Sequence, residues 1–298
     1  MLFFVNFEIK TEKMKILNLL IIAFFTNSCS TQSQNLEVVA QLPKSIKESS
    51  ACEVISGSNL VWTIEDQKND NLLFGIDKQG NLQQAITITN VKNNDWEDLT
   101  SDPDGNLYIG DFGNNDNERK NLAIYKVNAN DLKKNAAEAS SIVEFYFPEQ
   151  TEFPPKKKDL VYDVESFFYY NNKFYLFTKN RSSKFDGTTT LYRVDNDAGK
   201  KNAAKKIGSF VTCDHFSHCA VTSAAISKDS KKVALLSSDK VWIFTDFKDD
   251  NFFSGTSTKI ELNHYTQKEG LSFESENSIL ITDEASKKEG SYLYRLKL

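Results

Sequence analysis

The chain has 298 residues, 40% of them hydrophobic and 26% charged, with a formal net charge of -5. That length and composition allow a sizeable core without disulfides or a metal. The acidic balance argues against binding nucleic acid, which needs a basic face. The lysine runs Lys156-Lys157-Lys158 and Lys205-Lys206 are local and read as solvated loops. Phe (22) and Tyr (11) are plentiful while Met (2) is scarce, a composition that leans towards β structure.

Met14-Lys15 is followed by "ILNLLIIAFF" and then "TNSCS". A charged start before a short apolar run is a signal-peptide pattern, and the run is too short to span a bilayer as a helix. We read Met14 as the start, 1–28 as a signal peptide, 29–35 as a tether, and 36–298 as a single domain. Thr26-Asn27-Ser28-Cys29 resembles the lipobox of bacterial lipoproteins, with Thr26 where that pattern prefers Leu. The resemblance implies a lipid on Cys29 and a place in the cell envelope, facing periplasm or exterior, with membrane contact through the lipid only. Ordinary secretory cleavage nearby is the alternative. Export implies an oxidising compartment. There Cys213 and Cys219, six apart in "CDHFSHC", could close a small loop, while Cys52 lies in an apolar strand context and reads as a buried free thiol.

After the tether comes "LEVVAQL", then five segments of one outline: a polar start, a strand, a turn, and a strongly apolar strand. They are "ESSACEVISGSNLVWTIED" from Glu48, "EDLTSDPDGNLYIGDFGNN" from Glu97, "ESFFYYNNKFYLFTKNR" from Glu165, "TSAAISKDSKKVALLSSD" from Thr222 and "EGLSFESENSILITDEA" from Glu269. The turns "SGSN", "DPDG", "YNNK", "KDSKK" and "ESEN" are hairpin signals. The starts lie roughly 45 to 70 residues apart, a blade-like period. Third strands follow at "NLLFGID", "LAIYKVN", "TLYRVD", "KVWIFTDF" and "SYLYRLKL". Fourth strands follow in the first four units, at "LQQAITI", "SIVEFYF", "KKIGSFV" and "TKIELN". The fifth unit ends with three, so "LEVVAQL" is expected to close it as the outer strand, leaving no open edge. The expectation is an all-β propeller of five four-stranded blades. Six blades follow only if two units are merged, and a β-sandwich is the rival fold. "DLKKNAAEAS" and "TEFPPKKKD" read as loop or short helix.

In a propeller the innermost strands line a central channel, and the loops before the first strand and after the second emerge on one face. Glu48, Glu97, Glu165 and Glu269 open inner strands, and Thr222 or Ser223 stands there in the fourth unit. The second strands end at Glu65-Asp66, Asp111, Lys179-Asn180, Asp239 and Asp283-Glu284. Both sets should meet at one mouth. Such crowding of like charge needs an offset. A hard cation, Ca²⁺ or Mg²⁺, on Glu97, Glu165, Glu269 and Asp111 would supply one. Ion pairs with Lys179, Arg181 and Arg119 would supply another, and protonated acids serving as general acid or base a third. The structural alternative is that each inner-strand Glu hydrogen-bonds backbone N–H groups of the next blade. Glu48, Asp66, Asp98, Asn114, Asn115, Lys179 and Asp283 are the further ligand-binding candidates.

"KEGLSFES" with "ILITDE", and "DWEDLTSDPDGNLYIGDFGNN" with "IYKV", resemble the repeats of exported bacterial propellers in the SdiA-regulated and phytase-like esterase group. The resemblance runs from about Glu48 to Leu298. Glu269-Gly270-Leu271 fits its inner-strand motif, Glu97-Asp98-Leu99 is a variant, and the unit from Thr222 departs from it. It implies a propeller in an exported or lipid-anchored protein and leaves the activity open.

His215 and His218 lie within "CDHFSHC", in the loop entering the fourth unit's inner strand, and are the candidates for moving protons. Two thiols and two imidazoles within seven residues are too cramped for a zinc site. "DFGNNDNER" from Asp111 lacks the Gly and Glu positions of an EF-hand. No Gly-x-Ser-x-Gly elbow, phosphate loop, dinucleotide fingerprint or His-Glu-x-x-His occurs, so no nucleotide cofactor is expected. Three functions fit: binding of a ligand, ion or partner at the acidic mouth; a metal-dependent hydrolase of esters, lactones or phosphoesters; and a scaffold in an envelope complex.

Overall fold

The computed structural model describes residues 36–286 and 291–298. The signal peptide, Cys29 and the tether up to 35 lie outside the described residues. The remainder folds into five antiparallel blades arranged in a ring. The second blade runs Trp96–Ser101, Leu107–Asp111, Leu122–Val127 and Ser141–Tyr146 from the inside out. The third runs Asp163–Tyr170, Lys173–Lys179, Thr188–Asp195 and Lys205–Val211, and the fourth Ser223–Ile226, Val233–Leu236, Lys240–Thr245 and Thr256–Glu261. The fifth takes Lys268–Ser275, Ser278–Asp283 and Tyr292–Lys297 from the end of the chain and Glu37–Gln41 from its beginning. The pairing of Glu37–Gln41 with Tyr292–Lys297 closes the ring as the sequence predicts.

The blade number follows from the core. Five clusters of buried apolar side chains each join two neighbouring blades. Trp62, Trp96 and Ile109 join the first to the second. Phe112, Phe167 and Tyr192 join the second to the third, and Phe177, Leu235 and Trp242 the third to the fourth. Val241, Leu271 and Ile279 join the fourth to the fifth, and Phe74, Leu280 and Leu293 the fifth back to the first. A sandwich would have one layer of core between two sheets. The turns have the chemistry the sequence announces: Asn171 and Asn172 in "YNNK" take positive φ of 49° and 57°, as a tight two-residue hairpin turn requires.

Two features differ from expectation. The first blade has regular strands at Val61–Thr63, Leu72–Ile76 and Leu82–Ile88, but its inner segment touches the sheet only by bridges at Ser49–Glu65 and Glu53–Trp62. Its backbone turns instead to the fifth blade, where Thr282 Oγ1 donates to Ala51 O at 3.2 Å and Val54 N donates to Ser272 Oγ at 3.2 Å. Gly270 permits that approach, since a Cβ there would lie 2.5 Å from the carbonyl carbon of Ala51. Second, Ala136–Ala137, in the predicted loop or helix "DLKKNAAEAS", adds a two-residue parallel strand outside Leu82–Ile88. Asn202–Ala203 does the same outside Ser141–Tyr146. Each covers exposed backbone at a blade edge and straps it to the next blade. "TEFPPKKKD" is loop with a single turn of 3-10 helix, Lys157–Asp159, in line with its reading as loop or short helix.

Candidate functional site

Three inner strands carry the same irregularity. Trp96 pairs with Asp111 and Asp98 with Gly110, so Glu97 is skipped. Glu165 is skipped between Val164 and Ser166, and Glu269 between Lys268 and Gly270. An extra residue of this kind is a β-bulge, which re-aims a side chain. The bulge therefore recurs at three of the four predicted glutamates; Glu48 precedes an inner segment that forms only isolated bridges. The fourth blade, which has no such Glu, pairs in regular register from Ser223. Glu97, Glu165 and Glu269 all come within electrostatic reach of one another's neighbours at the same mouth.

The mouth is divided. On one side Glu165 accepts from Lys179 Nζ at 3.0 Å and from Arg181 Nη2 at 2.6 Å. Arg181 Nε also donates to Asp163 Oδ2 at 2.6 Å, and Asn114 N donates to Asp163 Oδ1 at 2.7 Å. Burial alone would raise Glu165, but Lys179 and Arg181 outweigh it and hold its carboxyl below the usual range. Burial and the adjacent Glu165 push Asp163 up to about 7, against the pull of Arg181.

On the other side Asp66, Asp95 and Glu97 bring carboxylate oxygens within 4.8 Å of one another. Asn93 sets this geometry: its Nδ2 donates to the carbonyls of Glu65 and Asp66 at 2.9 Å, and its Oδ1 accepts from Trp96 N at 3.0 Å. Gly113 packs directly against the group, where a Cβ would fall 2.0 Å from Glu97 Oε1 and 2.5 Å from Asp95 Cγ. No cation is paired with these three acids among the described residues, and Asp95 Oδ1 is buried without a hydrogen-bond partner. Asn115 Oδ1, from the adjacent loop, is also buried and unpartnered. Burial and Asp66 push Asp95 up to about 8. Burial, followed by Glu165, Asp66 and Asp95, pushes Glu97 well above the carboxylate range. Three hard oxygen donors held against their own repulsion suit a divalent cation such as Ca²⁺ or Mg²⁺.

Of the four acids predicted as metal ligands, only Glu97 belongs to this cluster. Glu165 is committed to Lys179 and Arg181. Asp111 is fully buried with both oxygens occupied, accepting from Arg119 Nη2 at 2.7 Å, Asp95 N at 3.1 Å, Asn94 Nδ2 at 2.6 Å and Tyr125 Oη at 2.7 Å. It anchors the turn that carries Asp95, just before the inner strand. Asp283 repeats that device in the fifth blade, accepting from Tyr292 N at 2.6 Å and Tyr294 Oη at 2.7 Å. The backbone-bonding role predicted for the glutamates falls to Asp98, whose Oδ2 accepts from Phe167 N in the next blade at 3.1 Å. Glu48 is exposed and accepts from Asn69.

Beside the acids lies a cavity of about 640 Å³ lined by Lys179, Arg181, Phe216, Tyr265, Glu269 and Glu284. Burial pushes Glu269 up to about 7, with Lys179 pulling against it. Burial and Glu269 push Glu284 up to about 8. The Cys213–Cys219 disulfide closes the loop at the rim, and Cys52 is a buried free thiol. That loop sends Phe216 and Ser217 to the cavity, whereas His215 and His218 are not among its lining residues. His218 Nδ1 instead bonds Asp239 Oδ2 at 2.6 Å, and His215 meets Ser217. Lys268 is fully buried and donates to Ser238 O at 3.0 Å and His264 O at 2.8 Å, pinning the loop that carries Tyr265. Asp95 and Asp163 went unassigned from sequence, although the spacing Asp-x-Glu in "DWE" and "DVE" links them to Glu97 and Glu165.

No family model and no curated protein matches the chain. Among solved structures, the PQQ-bound aldose sugar dehydrogenase of Streptomyces coelicolor is similar with a TM-score of 0.53 at 8% identity, over 88% of this chain and 98% of that one. A gluconolactonase of Xanthomonas campestris is similar with a TM-score of 0.43 at 10% identity, over 83% and 71%. The Cps50 β-propeller domain of Myceliophteria thermophila gives 0.45 at 8%, over 88% and 99%. The first of these likenesses supports the propeller fold and carries nothing about chemistry.

Proposed function

We propose that the acidic mouth holds a divalent cation, Ca²⁺ or Mg²⁺, on Asp66, Asp95 and Glu97, and that the protein is an exported, lipid-anchored propeller binding its ligand there. One observation carries the reading: three carboxyls from two blades lie within 4.8 Å, with a buried oxygen of Asp95 unpartnered. The adjacent Asp163–Glu165 pair, by contrast, has its cations built in. A bound ion would replace protons as the offset to that repulsion and would polarise a ligand oxygen placed against it. Lys179, Arg181 and the half-exposed rim residues then give the cavity its polarity. The test is thermal unfolding with Ca²⁺, Mg²⁺ or chelator. Stabilisation by one of the ions that is lost in Glu97→Gln supports the proposal, and indifference of the wild type to both ions and chelator overturns it.

A metal-dependent hydrolase is the second reading. It is favoured by Glu269 and Glu284, two carboxyls lining the cavity and titrating near neutrality, as groups that give and take protons must. Hydrolysis of a lactone or ester panel that disappears in Glu269→Gln, with ion binding retained, would establish it. Nothing observed at the mouth singles out a scaffold role.

A further inference from the structure

The inner strands that begin at the acidic mouth end at a second cavity. In the second blade Glu97 is the second residue of the inner strand and Ser101 its last, four residues or about 13 Å further along the channel. This cavity of about 350 Å³ is lined from all five blades, among them by Glu53, Ser101, Tyr170, Lys228 and Ser272. Glu53 is its chemical centre. Its Oε1 accepts from Ser101 Oγ and its Oε2 from Ser272 Oγ at 3.1 Å, so hydroxyls from two other blades hold the carboxylate in place. Ser272 Oγ in turn accepts from Val54 N at 3.2 Å, which fixes its proton on Glu53. Glu53 as a residue is partly exposed and lines the cavity; burial raises its carboxyl, while the two serine hydroxyls and Lys228 pull it back down.

The surroundings select the ligand's charge. Asp98, fully buried in the channel wall, is pushed well above the usual carboxylate range by burial, so Glu53 is the acid that carries charge at this end. Asp102 also lines the cavity, but its oxygens are taken by Asp104 N, Asn106 and Tyr108 Oη. Lys228 is the cation facing Glu53, and it is an exposed rim residue with no ion-pair partner among the described residues. Phe168 and Tyr170 contribute aromatic surface, which favours cations. A single available carboxylate is too few hard ligands for a divalent metal. It suits an ammonium group, whose N–H donors match the carboxylate and the hydroxyls around it.

We infer that this end of the channel is a second ligand site, taking a small organic cation by its primary ammonium group on Glu53. The test is calorimetric titration of the full chain with putrescine. Saturable one-to-one binding is expected, at least tenfold weaker in Glu53→Gln and several-fold tighter in Lys228→Ala, where a competing cation is gone. A purely structural Glu53 would not produce the Lys228 effect. Asp95→Asn, at the other mouth, should leave putrescine binding unchanged. Absence of saturable binding, equal affinity for neutral glycerol, or weaker binding in Lys228→Ala would overturn the inference.

Discussion

Asp95→Asn should make the metal-free protein more stable at neutral pH, an unusual outcome for a change to a buried polar residue. The sign follows from linkage. Asp95 holds its proton up to about 8 in the fold, whereas an unfolded Asp loses it near 4. Between those values the native state binds more protons than the unfolded chain, so stability falls as pH rises. At ~1.4 kcal/mol per pH unit, the cost approaches roughly 4 kcal/mol by pH 7. Asn mimics the protonated acid, keeping a donor towards Asp66 without that cost. The expected gain is therefore up to about 4 kcal/mol, or a Tm rise of up to roughly 10 °C for a domain of this size. The same variant should lose the stabilisation conferred by a divalent ion. Differential scanning fluorimetry at pH 5, 7 and 8, with ion and with chelator, reads both effects. A Tm for Asp95→Asn at or below wild type at pH 8 in chelator would refute the reasoning.

Further outcomes are expected elsewhere in the molecule. The wild type in chelator should lose stability between pH 5 and pH 8 as Asp95, Glu269 and Glu284 deprotonate, and an ion should recover more at pH 8 than at pH 5. Glu165, whose pKa is lowered, has the opposite sign, and its contribution is lost only as pH falls below about 4. Lys179→Met leaves the buried Glu165 with Arg181 alone and should cost about 3 kcal/mol, seen as a fall in Tm. Gly270→Ala places a methyl 2.3 Å from Thr282 Oγ1 and 2.5 Å from Ala51 C, and should cost about 3 kcal/mol by urea unfolding as the joint between the fifth and first blades is forced apart. Palmitate labelling of the chain in a bacterial host should be abolished by Cys29→Ser, and labelling that persists would remove the lipoprotein proposal.

Much of the architecture is legible in the sequence because each blade must satisfy the same local rules. Alternating apolar strands and turns such as "DPDG" and "YNNK" locate the hairpins, and the missing fourth strand of the last unit points to "LEVVAQL". The short parallel straps Ala136–Ala137 and Asn202–Ala203 are not legible, since two residues have no periodicity and their partners belong to other blades. The site is legible only in part. Repetition brings Glu97, Glu165 and Glu269 to one mouth, but their different fates depend on cross-chain neighbours. Lys179 and Arg181 neutralise Glu165, while Gly113 and Asn93 press Glu97 and Asp95 towards Asp66. The bulges that aim the three glutamates shift the pairing by one residue and leave no mark on the hydrophobic pattern. Likewise Asp111 and Asp98 look like functional acids until their hydrogen bonds are seen to tie down strands.

The central claim is that Asp66, Asp95 and Glu97 exchange protons for one divalent cation. Calorimetric titration of Ca²⁺ and Mg²⁺ at pH 7, in buffers of different ionisation enthalpy, measures binding and proton release together. The account requires one ion per chain, release of at least one proton, and loss of both signals in Asp95→Asn. Binding without proton release, or binding of equal strength in Asp95→Asn, would contradict it.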